Sequence, residues 1–153
     1  MHHVLIIDDS EFERKILTKT LEADGYITSA ASDAASGLAA MRTTSPDLVL
    51  LDVVMPGRSG LEALGDIVAD ERLSRIPVIM VTAKTDAADA QAALDAGAVD
   101  YIRKPFEAIE IWARARSALR IRDYQERLRF LSSHDGLTGL LNHVEILSAV
   151  ERA

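Results

Sequence analysis

The chain has 153 residues, room for one ordinary domain or for one small domain plus a remnant. Cysteine is absent, which excludes disulfide scaffolds, thiolate metal sites and cysteine nucleophiles. The formal charge of −7 is unevenly placed, because residues 1–102 carry 17 acidic and 8 basic side chains and residues 103–153 carry 7 and 9.

The start, Met1-His2-His3, leads straight into a strand-like run without a signal-peptide pattern. No apolar run approaches the roughly 20 residues needed to cross a bilayer, so the expectation is a cytoplasmic protein with no membrane partner. Val4-Leu5-Ile6-Ile7 is a short apolar run closed by Asp8-Asp9-Ser10, which suits a strand buried on both faces. Ser10 or Asp9 can cap a following helix with Glu11 and Glu13 in its first turn. Phe12, Ile16, Leu17 and Leu21 are its expected apolar stripe, and Gly25 ends it.

The alternation then repeats. Strands are predicted at 26–30, 48–51, 78–81 and 99–102, and helices at 33–42, 60–70 and 86–96, with Gly97 closing the last. A long fifth helix begins near Phe106. Apolar, branched strands joined by helical crossovers predict an α/β fold, a doubly wound five-stranded parallel sheet. Functional groups in such folds gather beyond the carboxyl ends of the strands.

Five polar groups stand at that rim. The first strand ends in Asp8 and Asp9, the third in Asp52 and the fourth in Thr82, and the fifth leads to Lys104-Pro105. Three carboxylates at one rim repel each other, and a hard cation relieves them, with oxygen-only ligands favouring magnesium over zinc. Lys104 can neutralise the rest or bind an arriving anion, and Thr82 can donate to that anion. Taken singly, an Asp after a strand is a helix cap and a Lys-Pro is a turn. Their coincidence at one rim is what points to a site.

With those residues in place, 1–122 resembles a two-component response-regulator receiver domain. The pattern comprises Asp8-Asp9, Asp52 with Met55-Pro56-Gly57 and Gly60, Thr82-Ala83, Asp95-Ala96-Gly97-Ala98, and Tyr101-Ile102-Arg103-Lys104-Pro105-Phe106. The resemblance implies a flavodoxin-like strand order of 2-1-3-4-5. It implies Asp52 as phosphoacceptor, Asp9, Asp52 and the Val54 carbonyl as Mg2+ ligands, and Asp8 holding a metal-bound water. Lys104, before a proline bond usually cis, would pair with phosphoryl oxygens. Thr82 would hydrogen-bond the phosphoryl group and Tyr101 would be the aromatic switch, acting on the face of the fourth helix, fifth strand and fifth helix. The implied donor is a histidine kinase or phosphotransfer protein. Val54 and Lys84 occupy variable positions beside the acceptor, and apolar Val54 is expected to leave a hydrolytic water poorly oriented.

The fifth helix is predicted to continue to about Ser132. Ile109, Trp112 and Leu119 are expected to dock on the sheet. Ile121, Tyr124, Leu128 and Leu131 then follow a 3-4-3 spacing, the seam of a short coiled coil over a stalk at 123–132. Arg120, Arg122, Arg127 and Arg129 surround it, so a basic nucleic-acid-binding helix is the alternative to a homodimer stalk.

Residues 133–153 open with Ser133-His134-Asp135-Gly136-Leu137-Thr138-Gly139-Leu140-Leu141-Asn142-His143, predicted as a helix stop, a turn and a restart. This segment resembles the opening of a GGDEF diguanylate cyclase domain, Asp-x-Leu-Thr-Gly-Leu-x-Asn-Arg, with His143 where arginine is usual. The Gly-Gly-(Asp/Glu)-Glu-Phe signature is not in the sequence, so no cyclase activity is expected of these 153 residues themselves. The combined expectation is a Mg2+-dependent phosphoacceptor whose stalk dimerisation controls a cyclase output, with nucleic acid an unlikely partner. The alternatives are a stand-alone adaptor receiver and a basic-helix DNA binder.

Overall fold

The computed structural model describes residues 1–83 and 87–138. Five strands, β1 (His3–Ile7), β2 (Ile27–Ala31), β3 (Leu48–Asp52), β4 (Val78–Thr82) and β5 (Asp100–Arg103), form one sheet. All pairings are parallel and the order is β2-β1-β3-β4-β5. The connecting helices are α1 (Glu11–Ala23), α2 (Ala34–Thr44), α3 (Gly60–Ala69), α4 (Ala87–Asp95) and α5 (Ala108–Thr138), with a short 3-10 turn at Leu73–Arg75.

The two faces of the sheet carry separate cores because side chains alternate along each strand. Leu5, Ile7, Val49, Leu51 and Met80 pack with Met41 of α2, Leu64 and Ile67 of α3 and Ala93 of α4. Val4, Ile6, Leu50, Ile79 and Ile102 pack with Leu17 and Leu21 of α1 and Ile111, Ala115 and Leu119 of α5. Burying both faces explains why β1, β3 and β4 read as continuous apolar runs. The edge strand β2 is half-exposed, which blurs its signal, and it lies one residue later than expected.

Local chemistry fixes where each helix starts. Ser10 Oγ accepts the Glu13 backbone N–H at 3.2 Å and caps α1. Ser59 and Glu62 cap α3 with a reciprocal capping box. Gly60 fits there because a Cβ would lie 2.0 Å from the Asp52 carbonyl oxygen. That close approach lets the β3–α3 loop fold tightly under the rim.

Three expectations need correction. Phe12 is not part of the core stripe of α1, since it is 73% exposed. On α5, Ile109 is 76% exposed and Trp112 only half-buried, while Ile111, Ala115 and Ala118 join Leu119 against the sheet. Trp112 instead donates from its indole nitrogen to the Thr20 carbonyl of α1 at 2.7 Å. The helix also continues past Ser132 to Thr138, so the stop expected at Ser133 does not occur. No proline interrupts it, and the cost of Gly136, about 1 kcal/mol, does not end a helix that is already propagating.

The chain divides into two units, residues 1–119 and 120–153. In the second, Ile121 and Tyr124 are about half exposed (49% and 50%), and Leu128 and Leu131 are half-buried. Arg129 pairs with Glu126 one turn away. Gly139, Leu140, Asn142 and His143 lie outside the described residues, as does Lys84. No helix among the described residues is long and apolar enough to cross a membrane.

Candidate functional site

Parallel register brings the strand ends to one rim. Ile7 lies beside Leu51, Asp52 beside Val81, and Thr82 beside Arg103. The residues at and just after these positions, Asp8, Asp52, Thr82 and Lys104, therefore converge. Asp8, Asp52 and Thr82 are almost fully buried. Lys104 Nζ lies 3.5 Å from both carboxylate oxygens of Asp52. The Lys104–Pro105 peptide is cis.

One site residue escapes the strand-end rule. Glu13, in the first turn of α1, lies with its carboxylate 2.6 Å from Lys104 Nζ. Asp8, Glu13 and Asp52 each offer a carboxylate oxygen within 4.8 Å of the others. Asp9 is exposed and is not in that cluster. Spacing could not flag Glu13, because an acid in a first helical turn is ordinary dipole chemistry. Its role at the rim exists only once the fold brings the first turn of α1 to Lys104, which follows β5.

Burial and crowding set the charges. Burial pushes the Asp8 carboxyl up to about 7, with the Ser10 backbone N–H opposing and Glu13 and Asp52 adding to the rise. Asp52 is also raised by burial, against the pull of Lys104. For Glu13 the effect of burial is outweighed by hydrogen bonds to Lys104 and Asp8, and the group is lowered. Lys104 is raised, because Glu13 and the Asp52 and Asp8 charges overcome its desolvation.

Asp8 accepts from one backbone donor. Its Oδ1 accepts the Ser10 backbone N–H at 2.9 Å. Its Oδ2 is buried and has no hydrogen-bond donor among the described residues. A buried orphan oxygen within a cluster of three acids, all oxygen donors, fits a hard divalent cation.

The raised Asp8 group makes a testable link to stability. The folded state holds this proton more tightly than the unfolded chain does. Its contribution to stability is therefore greatest at acid pH and falls as pH rises from 3.8 to about 7. Without added metal, urea unfolding of the wild type at pH 5 and pH 7.5 is expected to show this loss. Asp8→Asn, which cannot ionise, is expected to lose less stability between the same two conditions.

The other expected residues surround this cluster. Val54 is 71% exposed, and its backbone N–H donates to Asp52 Oδ1 at 3.3 Å. Thr82 Oγ1 donates to the Ala83 carbonyl at 3.3 Å. Tyr101 is half-buried, with the guanidinium groups of Arg103 and Arg114 5.7 and 5.8 Å from its ring centre. Arg114 Nη1 in turn donates to both carboxylate oxygens of Asp100, each at 2.8 Å.

The response regulator receiver domain family matches residues 4–116 of this sequence. The chain belongs to this family. It is 39% identical over 132 residues to the DNA-binding response regulator MtrA of Mycolicibacterium smegmatis, covering 86% of this chain and 56% of that protein. The receiver domain of NtrX from Brucella abortus superposes with a TM-score of 0.73 at 34% identity, covering 76% of this chain and 98% of that one. A longer NtrX structure matches 91% of this chain and 30% of its own length, with a TM-score of 0.79 and 32% identity. The chain spans about half the length of the curated relatives it matches, 56% of MtrA and 49% of CseB from Streptomyces avermitilis. The matched residues are thus the receiver domain of a two-component response regulator.

Proposed function

We propose that Asp52 accepts a phosphoryl group from a histidine-bearing donor, a histidine kinase or phosphotransfer protein. The observation that supports this best is the buried Asp52 carboxylate between Asp8 and Lys104, at the carboxyl end of the central strand. Asp52 attacks phosphorus in line, a carboxylate O–P bond forms, and the donor P–N bond breaks. Such transfer depends on positioning and charge neutralisation more than on covalent help. Lys104 supplies one positive charge beside the acceptor.

Asp8 and Asp52, with the Val54 carbonyl, would hold Mg2+, which supplies further positive charge to the phosphoryl oxygens, and Asp9, which stands exposed outside that cluster, would join them. Phe12, Ile16, Pro105 and Phe106 line a shallow pocket beside Glu13 and Lys104. The donor approaches over that apolar rim. Val54 presents no polar group to a hydrolytic water at the acceptor. Val54→Asn is therefore expected to shorten the half-life of the phosphorylated state by about tenfold, a typical gain from orienting a reactant. Loss of radiolabelled phosphate measures it, and an unchanged half-life would contradict this role.

Thr82 Oγ1 turns from Ala83 to the phosphoryl oxygens, and Tyr101 moves into the space it leaves. That links Asp52 to the α4–β5–α5 face. The output we propose is self-association through Ile121, Tyr124, Leu128 and Leu131, controlling a diguanylate cyclase in the parent protein. Support for that output is the seam spacing and the sequence at 135–143. Light scattering with and without beryllofluoride and Mg2+ tests it. The mass is expected to rise towards a dimer with both present, and the Asp52→Asn control is expected not to change.

A second reading comes from the relatives. MtrA is described as DNA-binding, and Arg120, Arg122, Arg127 and Arg129 stand on α5 of this chain. A DNA-binding response regulator is the alternative parent. Titration with duplex DNA at two salt concentrations separates the readings, since phosphate contacts give affinity that falls steeply with salt.

A further inference from the structure

Lys104 is shared unequally between two acids. Its ammonium lies 2.6 Å from Glu13 Oε2, a full charge-assisted hydrogen bond. It lies 3.5 Å from each oxygen of Asp52, at the limit of hydrogen bonding. The side chains of Lys104 and Glu13 are three-quarters covered, at 25% and 24% exposure, so solvent does not fully screen their pairing. The Glu13 main chain is anchored, because its backbone N–H is the one held by the Ser10 cap.

The proposed chemistry at Asp52 needs that same ammonium. A phosphoryl group brings new acceptor oxygens to Asp52, and the long lysine stem can swing its charge to meet them. Each hydrogen bond then made to phosphate competes with the one made to Glu13.

We propose that Glu13 is a positioning residue that holds Lys104 off Asp52 in the resting receiver and releases it when Asp52 is phosphorylated. This rests on the reading of Asp52 as the phosphoacceptor. Glu13 thereby raises the amount of phosphodonor needed to switch the domain, and acts as a built-in threshold. It does this through Lys104, without contact to the phosphoryl group.

Beryllofluoride binding at saturating Mg2+, followed by fluorine NMR, tests the proposal. Glu13→Gln removes the charge. Glu13→Asp keeps the charge but is one methylene too short to reach Lys104. Both variants are expected to bind beryllofluoride about three- to tenfold more tightly than wild type, the range for a partly covered charged hydrogen bond. The half-saturating concentration of acetyl phosphate is expected to fall in parallel, with little change in the rate at saturation. In a Lys104→Met background the effect of Glu13→Gln is expected to vanish.

Other outcomes overturn the proposal. If Glu13→Asp binds like wild type and only Glu13→Gln tightens, Glu13 acts by simple repulsion. If calorimetry shows that Glu13→Gln weakens Mg2+ binding without beryllofluoride, Glu13 serves the cation instead. Unchanged or weaker beryllofluoride binding in both variants, with wild-type circular dichroism, also rejects it. Asp52→Asn separates the two readings. If wild type binds, Asp52→Asn does not and the Glu13 variants match wild type, only the threshold fails. If wild type itself does not bind, the Asp52 reading fails and the threshold with it.

Discussion

Asp52→Asn is expected to abolish phosphoryl uptake from acetyl phosphate, a loss of at least about 10³-fold. The amide keeps the shape of the carboxylate but offers no nucleophilic oxygen with a negative charge. The substitution is also expected to leave the fold intact. Asp52 is 3% exposed, and its ionised form is disfavoured by burial in a crowded acidic cluster. Removing one charge there relieves repulsion with Asp8 and Glu13. The urea midpoint of Asp52→Asn at pH 7.5 should therefore be no lower than that of wild type. Full uptake by a well-folded Asp52→Asn protein would place the acceptor elsewhere.

A second large effect is expected on α5. Ile111 is fully buried and packs into the face of the sheet that also holds Ile79, Val81 and Ile102. Ile111→Ala is expected to cost about 2–5 kcal/mol, the range for truncating a buried branched side chain. Ile109→Ala, two residues away and 76% exposed, is expected to change stability by less than about 0.5 kcal/mol. Urea denaturation of the two variants measures the difference. Equal effects would mean that α5 docks through the face read from the sequence.

That contrast shows where sequence reading falls short. The strands were legible because β1, β3 and β4 are branched runs buried on both faces, each stopped by a polar residue. Their parallel order then put Asp8, Asp52, Thr82 and Lys104 at one rim, as a general rule for such sheets requires. The face of α5 was legible only at Leu119. Its contact surface is built from Ile111 and Leu119 together with two small residues, Ala115 and Ala118. Larger side chains at Ile109 and Trp112 drew the expected stripe to the wrong angle. Size favoured Ile109 and Trp112 in that expectation, whereas the sheet-facing side takes Ala115 and Ala118 beside Ile111 and Leu119.

Glu13 was hidden for a different reason. Its position in the first turn of α1 already has a local explanation, the favourable charge at a helix N-terminus. Its partner Lys104 is 91 residues away in sequence. Phe12 was misread beside it, since an aromatic residue at helical spacing usually belongs to the core. Here it stands exposed at the rim of the pocket shared with Phe106. Both residues acquire their roles from packing between α1 and the β5–α5 loop, which no local pattern records.

The most direct measurement is to locate the phosphoryl group itself. Wild-type protein is incubated with acetyl phosphate and Mg2+, the acyl phosphate is trapped by reduction, and the proteolytic peptides are mapped by mass spectrometry. We expect a single modified residue, Asp52, and no modification when Mg2+ is chelated. Modification at another residue, or none in a folded protein with Mg2+ present, would contradict the assignment of this rim as the phosphoacceptor site.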